Sequence, residues 1–80
     1  MAIRLLFLGR LEDNAGSGER EVDACGSLAE LLARLEPGLA QALRADTVRI
    51  AVNGTLVADR ATRVLRDGDE VAFLPPVSGG

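Results

Sequence analysis

The chain carries its clearest structural signal near the carboxyl end, in the stretch Asp67-Gly68-Asp69-Glu70-Val71-Ala72-Phe73-Leu74. An Asp-Gly turn signal leads directly into alternating residues, which is typical of a half-buried β-strand that follows a tight turn. Pro75 and Pro76 then fix φ, disfavour a helix and keep the chain extended. We therefore predict a last strand over residues 70–74, followed by an extended end that reads Val77-Ser78-Gly79-Gly80.

The first half of the chain predicts a hairpin and a helix. Alternation over residues 3–8 indicates a first strand, and turn residues 14–18 lead to a second strand near 20–22. Ser27 and Glu30 have the spacing of a capping box that opens a helix. The buried face of this helix is predicted to hold Leu28, Leu31, Leu32 and Leu35. Pro37-Gly38 is interpreted as its end, with one further turn over 39–43.

The second half returns to strands. Val48, Ile50 and Val52 alternate toward Asn53-Gly54, a strong hairpin-turn signal, and Leu56-Val57 would form the returning strand. With the last strand beside the first, these elements predict an α+β fold, the ubiquitin-like β-grasp, in which a mixed sheet curls around one main helix. We assign residues 1–74 to this domain and residues 75–80 to a flexible Gly-Gly tail.

The composition excludes several classes of function. A net charge of −3 gives no basic stripe for nucleic acid. The apolar run after Met1 is too short for a signal peptide or a membrane span, so we expect a cytoplasmic protein. The chain has no His and no Lys, and Cys25 is its one cysteine. We therefore expect no conventional active site, no metal and no bound cofactor. Cys25 is interpreted as a small buried side chain rather than a persulfide relay.

Strand parity predicts an apolar surface on the side of the sheet away from the helix. If Ile3, Leu5 and Phe7 face the helix, the even-numbered residues of both terminal strands face outward. We predict a partner interface on that side, and its residues are Leu6, Leu8, Leu56 and Leu74. The alternative is that residues 59–64 form a loop that covers this surface.

The tail itself is a candidate site. Gly79 and Gly80 lack Cβ atoms, so they can pass through a narrow channel and present a terminal carboxylate to another protein. Val77 can enter an apolar pocket, Ser78 can make one hydrogen bond, and the prolines at 75 and 76 lower the entropy lost on insertion. We interpret Gly80 as the reactive residue, the alternative being an ordinary frayed terminus.

Two stretches carry a more specific resemblance: Ala51-Val52-Asn53-Gly54, and residues 65–80 with their Pro-Pro-Val-Ser-Gly-Gly ending. Looser matches lie in residues 7–11 and 28–32. From Ile3 to Gly80 the chain resembles the family of molybdopterin synthase small subunits, which are ubiquitin-like sulfur carriers.

The resemblance implies a non-catalytic subunit of a sulfurtransferase complex. An E1-like adenylating enzyme would use ATP to activate Gly80, and a persulfide donor would convert it to a thiocarboxylate. Sulfur would then pass to cyclic pyranopterin monophosphate inside a heterotetramer of two small and two large subunits. The alternatives are a carrier for thiamine, cysteine or tRNA thiolation, a ubiquitin-like protein modifier, and an interaction module with an inert terminus.

Overall fold

The computed structural model describes residues 2–60 and 62–76. Five strands and three helices occur within these ranges. In chain order they are β1 Ala2–Phe7, α1 Arg10–Ala15, β2 Glu19–Asp23, α2 Leu28–Arg34, α3 Pro37–Leu43, β3 Arg49–Val52, β4 Thr55–Leu56 and β5 Glu70–Leu74.

The strands form one mixed sheet in the order β2-β1-β5-β3-β4. The central pair, β1 and β5, is parallel, with Arg4 opposite Glu70 and Phe7 opposite Phe73. The other neighbouring strands are antiparallel. The predicted β-grasp arrangement is therefore confirmed, including the last strand beside the first and the strand over residues 70–74.

The core lies between the sheet and the helices. Alternate residues of β1, β3 and β5 point into it, as parity predicts, because Ile3, Leu5 and Phe7 are all almost fully buried. Phe7 and Phe73 occupy paired positions, and their rings stack with centroids 5.4 Å apart. The helices contribute Leu11, Leu28, Leu31, Leu32, Leu39, Ala40 and Leu43 to the same cluster.

The helical layer differs in detail from the prediction. The capping box is present, since the Ser27 side chain accepts a hydrogen bond from the Glu30 N–H at 3.1 Å. However, α2 ends at Arg34, and Pro37-Gly38 begins α3 instead of ending the preceding helix. Proline fits the first helical turn because its missing N–H would have no intrahelical partner there.

A short helix, α1, replaces part of the predicted turn between the first two strands. It covers Arg10–Ala15 and ends at Gly16, whose φ is 84°. Leu11 anchors it in the core, and Arg20 donates a hydrogen bond to the Ala15 carbonyl oxygen at 2.9 Å. The Arg20 guanidinium also bonds to Glu36 and lies 5.9 Å from the centre of the Phe7 ring. Arg20 therefore ties β2 to the end of α1 and to Glu36, the residue that directly precedes α3.

Two tight turns are linked at one end of the sheet, where β3 ends and β5 begins. Asn53, with a φ of 51°, donates through its side chain to Asp69 at 3.0 Å and accepts from the Glu70 N–H at 3.0 Å. The other Asp69 oxygen accepts from the Arg66 N–H at 2.8 Å. The hydrogen bond from Asn53, followed by that from Arg66, holds the pKa of Asp69 below its usual range. The predicted Asn53-Gly54 turn is thus fastened to the turn that precedes β5.

Replacing Asp69 with Asn should lower the free energy of unfolding by about 1 kcal/mol. The amide has only one acceptor oxygen, so its NH2 group would face one of the two donors, Asn53 or the Arg66 N–H. Since the folded-state pKa is lowered, the ionised carboxylate stabilises the fold above the unfolded pKa of about 3.9. That contribution is lost as the pH falls through the lower folded-state value. Urea unfolding should show that the difference in free energy of unfolding between wild type and D69N shrinks as the pH falls from 7 through the folded-state pKa of Asp69. The exposed Asp23→Asn control should show none, and an equal loss in both variants would contradict this account.

Candidate docking face and tail base

The side of the sheet away from the helices carries a continuous apolar row. Register pairs Leu6 with Ala72, Ala72 with Ala51, and Ala51 with Leu56, so these four side chains share one face across four strands. Leu74 lies on the same face two residues beyond Ala72. We call the set Leu6, Ala51, Leu56, Ala72 and Leu74 the outer face.

The outer face is partly open to solvent. Leu56 is 64% exposed, whereas Leu6 and Leu74 are half-buried by their neighbours. Leu8, which follows β1 directly, is 43% exposed. The structure therefore brings Leu6, Leu56 and Leu74 to one surface, with Leu8 beyond the end of its strand.

The segment between β4 and β5 does not cover Leu56. It runs toward the helices, since Val64 pairs with Ser27 and the Leu28 N–H donates to the Arg63 carbonyl oxygen at 3.0 Å. Arg60 holds the same segment in place through hydrogen bonds to carbonyl oxygens at and beyond the end of α3, those of Leu43, Ala45 and Val48. The alternative in which residues 59–64 shield the outer face is therefore wrong for Leu56.

Charged side chains border the apolar row unevenly. Edge strand β2 presents Glu19, Glu21 and Asp23 opposite Leu6, Arg4 and Ala2. Arg4 lies 3.4 Å from Glu19 and 3.7 Å from Glu70; the Arg4 and Glu19 side chains are mostly exposed, whereas that of Glu70 is half-buried. At the other end of the sheet, Arg49 is opposite Leu74. The β2 border is thus acidic, whereas the end where β5 terminates carries an arginine.

The base of the tail is held tightly. The Leu8 N–H donates to the Phe73 carbonyl oxygen at 3.1 Å, which extends the pairing of the two central strands to the end of β5. Pro75 then packs on Gly9, where a Cβ atom would come within 2.8 Å of the proline ring. Gly9 also has a φ of 55°, a conformation that side chains disfavour. The direction in which the chain leaves the sheet is therefore set by contacts with the segment after β1.

A shallow groove lies beside this exit. It has a volume of about 360 Å³ and is lined by Asp46, Thr47, Arg49, Pro75 and Pro76. Pro75 is half-buried and Pro76 is exposed. Of the predicted tail residues, these two are described, whereas Val77, Ser78, Gly79 and Gly80 lie outside the described residues.

Other chemistry is sparse in the described part of the chain. Cys25 is buried, as predicted, and its sulfur lies 3.6 Å from the Ser27 carbonyl oxygen. Within residues 2–60 and 62–76, no three His, Cys, Asp or Glu side chains form a group that could hold a metal ion. Over the same ranges, no helix is both long and apolar enough to cross a membrane.

Sequence reasoning missed Gly9 and Arg49 as parts of the tail base. The contact of Gly9 with Pro75 joins positions far apart in the chain, and it appears only once β1 and β5 are paired. A glycine directly after an alternating strand was the one local signal available for it.

The fold and this strand end define a ubiquitin-like β-grasp protein. The model of the ThiS family matches residues 5–80, and the chain belongs to that family. It is also similar to the molybdopterin synthase sulfur carrier subunit of Escherichia coli (strain K12), at 38% identity over 98% of this chain and 99% of that protein.

Two solved structures show the same architecture. One is the complex of subunits 1 and 2 of the molybdopterin-converting factor from Helicobacter pylori 26695, in which the matching chain is 32% identical with a TM-score of 0.71. The other is SAMP1 from Haloferax volcanii, at 27% identity and a TM-score of 0.78. In both matches, 100% of this chain and 100% of the other chain are covered.

Replacing Gly9 with Ala should destabilise the domain and move the tail base. The backbone penalty at positive φ is about 1–2 kcal/mol, and displacement of Pro75 adds to it. Gly16→Ala is the control for positive φ alone, because Gly16 has a φ of 84° but no atom within 4 Å of the added Cβ. Its ψ is −4° whereas that of Gly9 is −135°, so the amide shifts near Leu74, and not the size of the stability loss, report the packing on Pro75. Thermal unfolding should show a larger loss for G9A, and amide shifts near Leu74 should change in G9A alone. Unchanged shifts near Leu74 in G9A would contradict the packing role of Gly9.

Proposed function

We propose that this protein is the sulfur carrier of molybdenum cofactor biosynthesis and works as the small subunit of molybdopterin synthase. The observation that carries the proposal is the end of β5, where Pro75 packs on Gly9 and the chain leaves the sheet beside an exposed apolar face. A rigid base with a short extension suits a chain that inserts its end into another protein. Full-length similarity to a molybdopterin synthase sulfur carrier subunit supports the same assignment.

The proposed chemistry takes place at the carboxylate of Gly80. In an E1-like adenylating enzyme, a carboxylate oxygen attacks the α-phosphorus of ATP, and pyrophosphate leaves. A persulfide sulfur then attacks the acyl carbon of the adenylate, and AMP leaves. A thiol cleaves the resulting acyl disulfide and releases the thiocarboxylate. ATP is thus a substrate of the activating enzyme, and this chain needs no bound cofactor.

The acceptor in this proposal is cyclic pyranopterin monophosphate, bound by the large subunit. The carrier contributes the sulfur atom and holds it in place, while the acids and bases belong to the partner, which is consistent with a chain that has no His or Lys. Positioning of a reactive group next to its acceptor supplies much of the rate advantage. The proposed assembly is a heterotetramer of two carriers and two large subunits. The solved complex of two molybdopterin-converting factor subunits supports the pairing of small with large subunit.

Attachment to proteins is the second candidate function, and similarity to SAMP1, a small archaeal modifier protein, favours it. In that case the activated glycine would form isopeptide bonds with lysines of other proteins. Since the chain contains no lysine, it could not extend into side-chain-linked polymers of itself. Accumulation of single conjugates in cells would favour this role, as would the absence of a thiocarboxylate.

Incubation with a candidate adenylating enzyme, Mg-ATP and a sulfide source should convert Gly80 to a thiocarboxylate. Intact mass spectrometry should show the gain of one sulfur in place of one oxygen, located in the carboxyl-terminal peptide. A variant with one residue added after Gly80 should show no gain, because its carboxylate is displaced from the ATP. Sulfur incorporation into the extended variant would argue strongly against this mechanism.

Glutamate on the outer face should weaken binding to the large subunit. Leu56→Glu and Leu74→Glu should each raise the Kd at least tenfold, about 1.4 kcal/mol, because a charge would be buried against apolar surface. Ala33→Glu, on the exposed side of α2, is the matched control and should bind normally. Isothermal titration with the purified large subunit measures all three. Normal binding by both leucine variants would place the interface elsewhere.

A further inference from the structure

The side of the sheet that carries the outer face differs in charge from one edge to the other. Leu56 of β4 lies at one edge, and at the other edge Glu19 of β2 lies opposite Leu6. Both Leu56 and Glu19 are exposed. Apolar contact is non-directional, so the apolar row does not by itself determine how a partner is oriented. Charges beside that row can determine the orientation.

The acidic excess of the chain is concentrated at one corner of this side of the sheet. By strand register, the corner holds four carboxylates and one guanidinium, those of Glu19, Glu21, Asp23, Glu70 and Arg4. The whole chain has 12 acidic and 9 basic side chains, which gives a net charge of −3. The excess at this corner therefore equals the net charge of the chain, and the other charged side chains balance. We call this set the acidic corner.

The acidic corner is open to solvent and only partly neutralised. Glu19, Glu21 and Asp23 are exposed, and Arg4 lies within ion-pair distance of Glu19 and Glu70. Neither Glu21 nor Asp23 forms an ion pair with any other residue in the described part of the chain. These carboxylates therefore extend a negative potential over the neighbouring apolar row.

The opposite end of the same side carries no acidic excess. Arg49 is exposed opposite Leu74, where the tail leaves β5, and Asp46 lines the groove beside it. Glu70 and Leu74 are the first and last residues of β5, so the acidic corner and the tail exit lie at opposite ends of the sheet. A partner with basic side chains is thus attracted to one end of this surface and not to the other.

We infer that the acidic corner contacts basic side chains of the large subunit, beside the apolar surface that covers Leu6 and Leu56. These contacts align the carrier so that its tail leaves on the far side of the interface from them. The inference rests on the proposed function for the identity of the partner, and it adds the charge and the orientation of the docking surface. Exposed ion pairs contribute little to affinity, whereas charges beside an interface mainly raise the association rate.

Glu19→Gln combined with Glu21→Gln tests this role, because glutamine keeps the size of each side chain and removes its charge. In stopped-flow mixing with the purified large subunit at low ionic strength, the association rate should fall about fivefold, and the dissociation rate should change by less than about twofold. The difference in association rate should disappear at about 1 M salt, where the Debye length is only about 3 Å.

Glu12→Gln combined with Glu30→Gln is the matched control, because it removes the same amount of charge from α1 and α2. This control should associate at nearly the wild-type rate. An association rate in E19Q/E21Q that equals or exceeds that of wild type would overturn the inference and leave the proposed function standing, as would an equal fall in the control. A large subunit that does not bind wild type would reject the proposed function, and this inference with it.

Photocrosslinking tests the orientation. With p-benzoylphenylalanine in place of Asp23, irradiation of the complex should join the carrier to a peptide of the large subunit that contains arginine or lysine, identified by mass spectrometry. The same probe in place of Ala33, which is exposed on α2, should give no crosslink. No crosslink from position 23, or a crosslink to a peptide without a basic residue, would overturn the inference.

Discussion

The parallel pairing of β1 with β5 is the constraint on which the rest of the structure depends. It joins the two most distant strands of the described chain, so its loop-closure entropy must be offset by the core that it creates. The stacked rings of Phe7 and Phe73 lie at the last pair of this register, and both strands contribute alternate residues to the core and to the outer face. The pairing also brings Leu8 and Gly9 to the end of β5, where they hold the first residue of the tail.

Much of this fold could be predicted because its local signals agree with its global arrangement. Two-residue alternation identified β1, β3 and β5, and the turn at Asn53-Gly54 and the cap at Ser27 lie where their residue types require. The misjudged helices are those that local signals do not determine. In α1, Asp13 and Asn14 are weak helix formers, and Leu11 and Arg20 stabilise the helix through tertiary contacts. Pro37 is equally compatible with the end of one helix and the start of the next.

In the candidate site, too, the sequence predicts some features and leaves others open. Parity alone assigned Leu6 and Leu74 to the outer face, because a strand offers only two sides. The sequence also placed Leu56 on this surface but could not exclude cover by residues 59–64. That choice depends on the path of the segment after β4, which Arg60 holds through three carbonyl groups.

Parallel terminal strands also determine how the domain meets mechanical force. Ala2 lies at the beginning of β1, whereas Pro75 follows the end of β5, so chain attached at these two points leaves the sheet from opposite ends. Tension between them would slide one strand along the other and load their hydrogen bonds together, instead of opening them one by one. A partner protein that pulled on the tail would therefore load the sheet in shear, the direction in which it resists force most. The domain can stay folded while its tail is pulled.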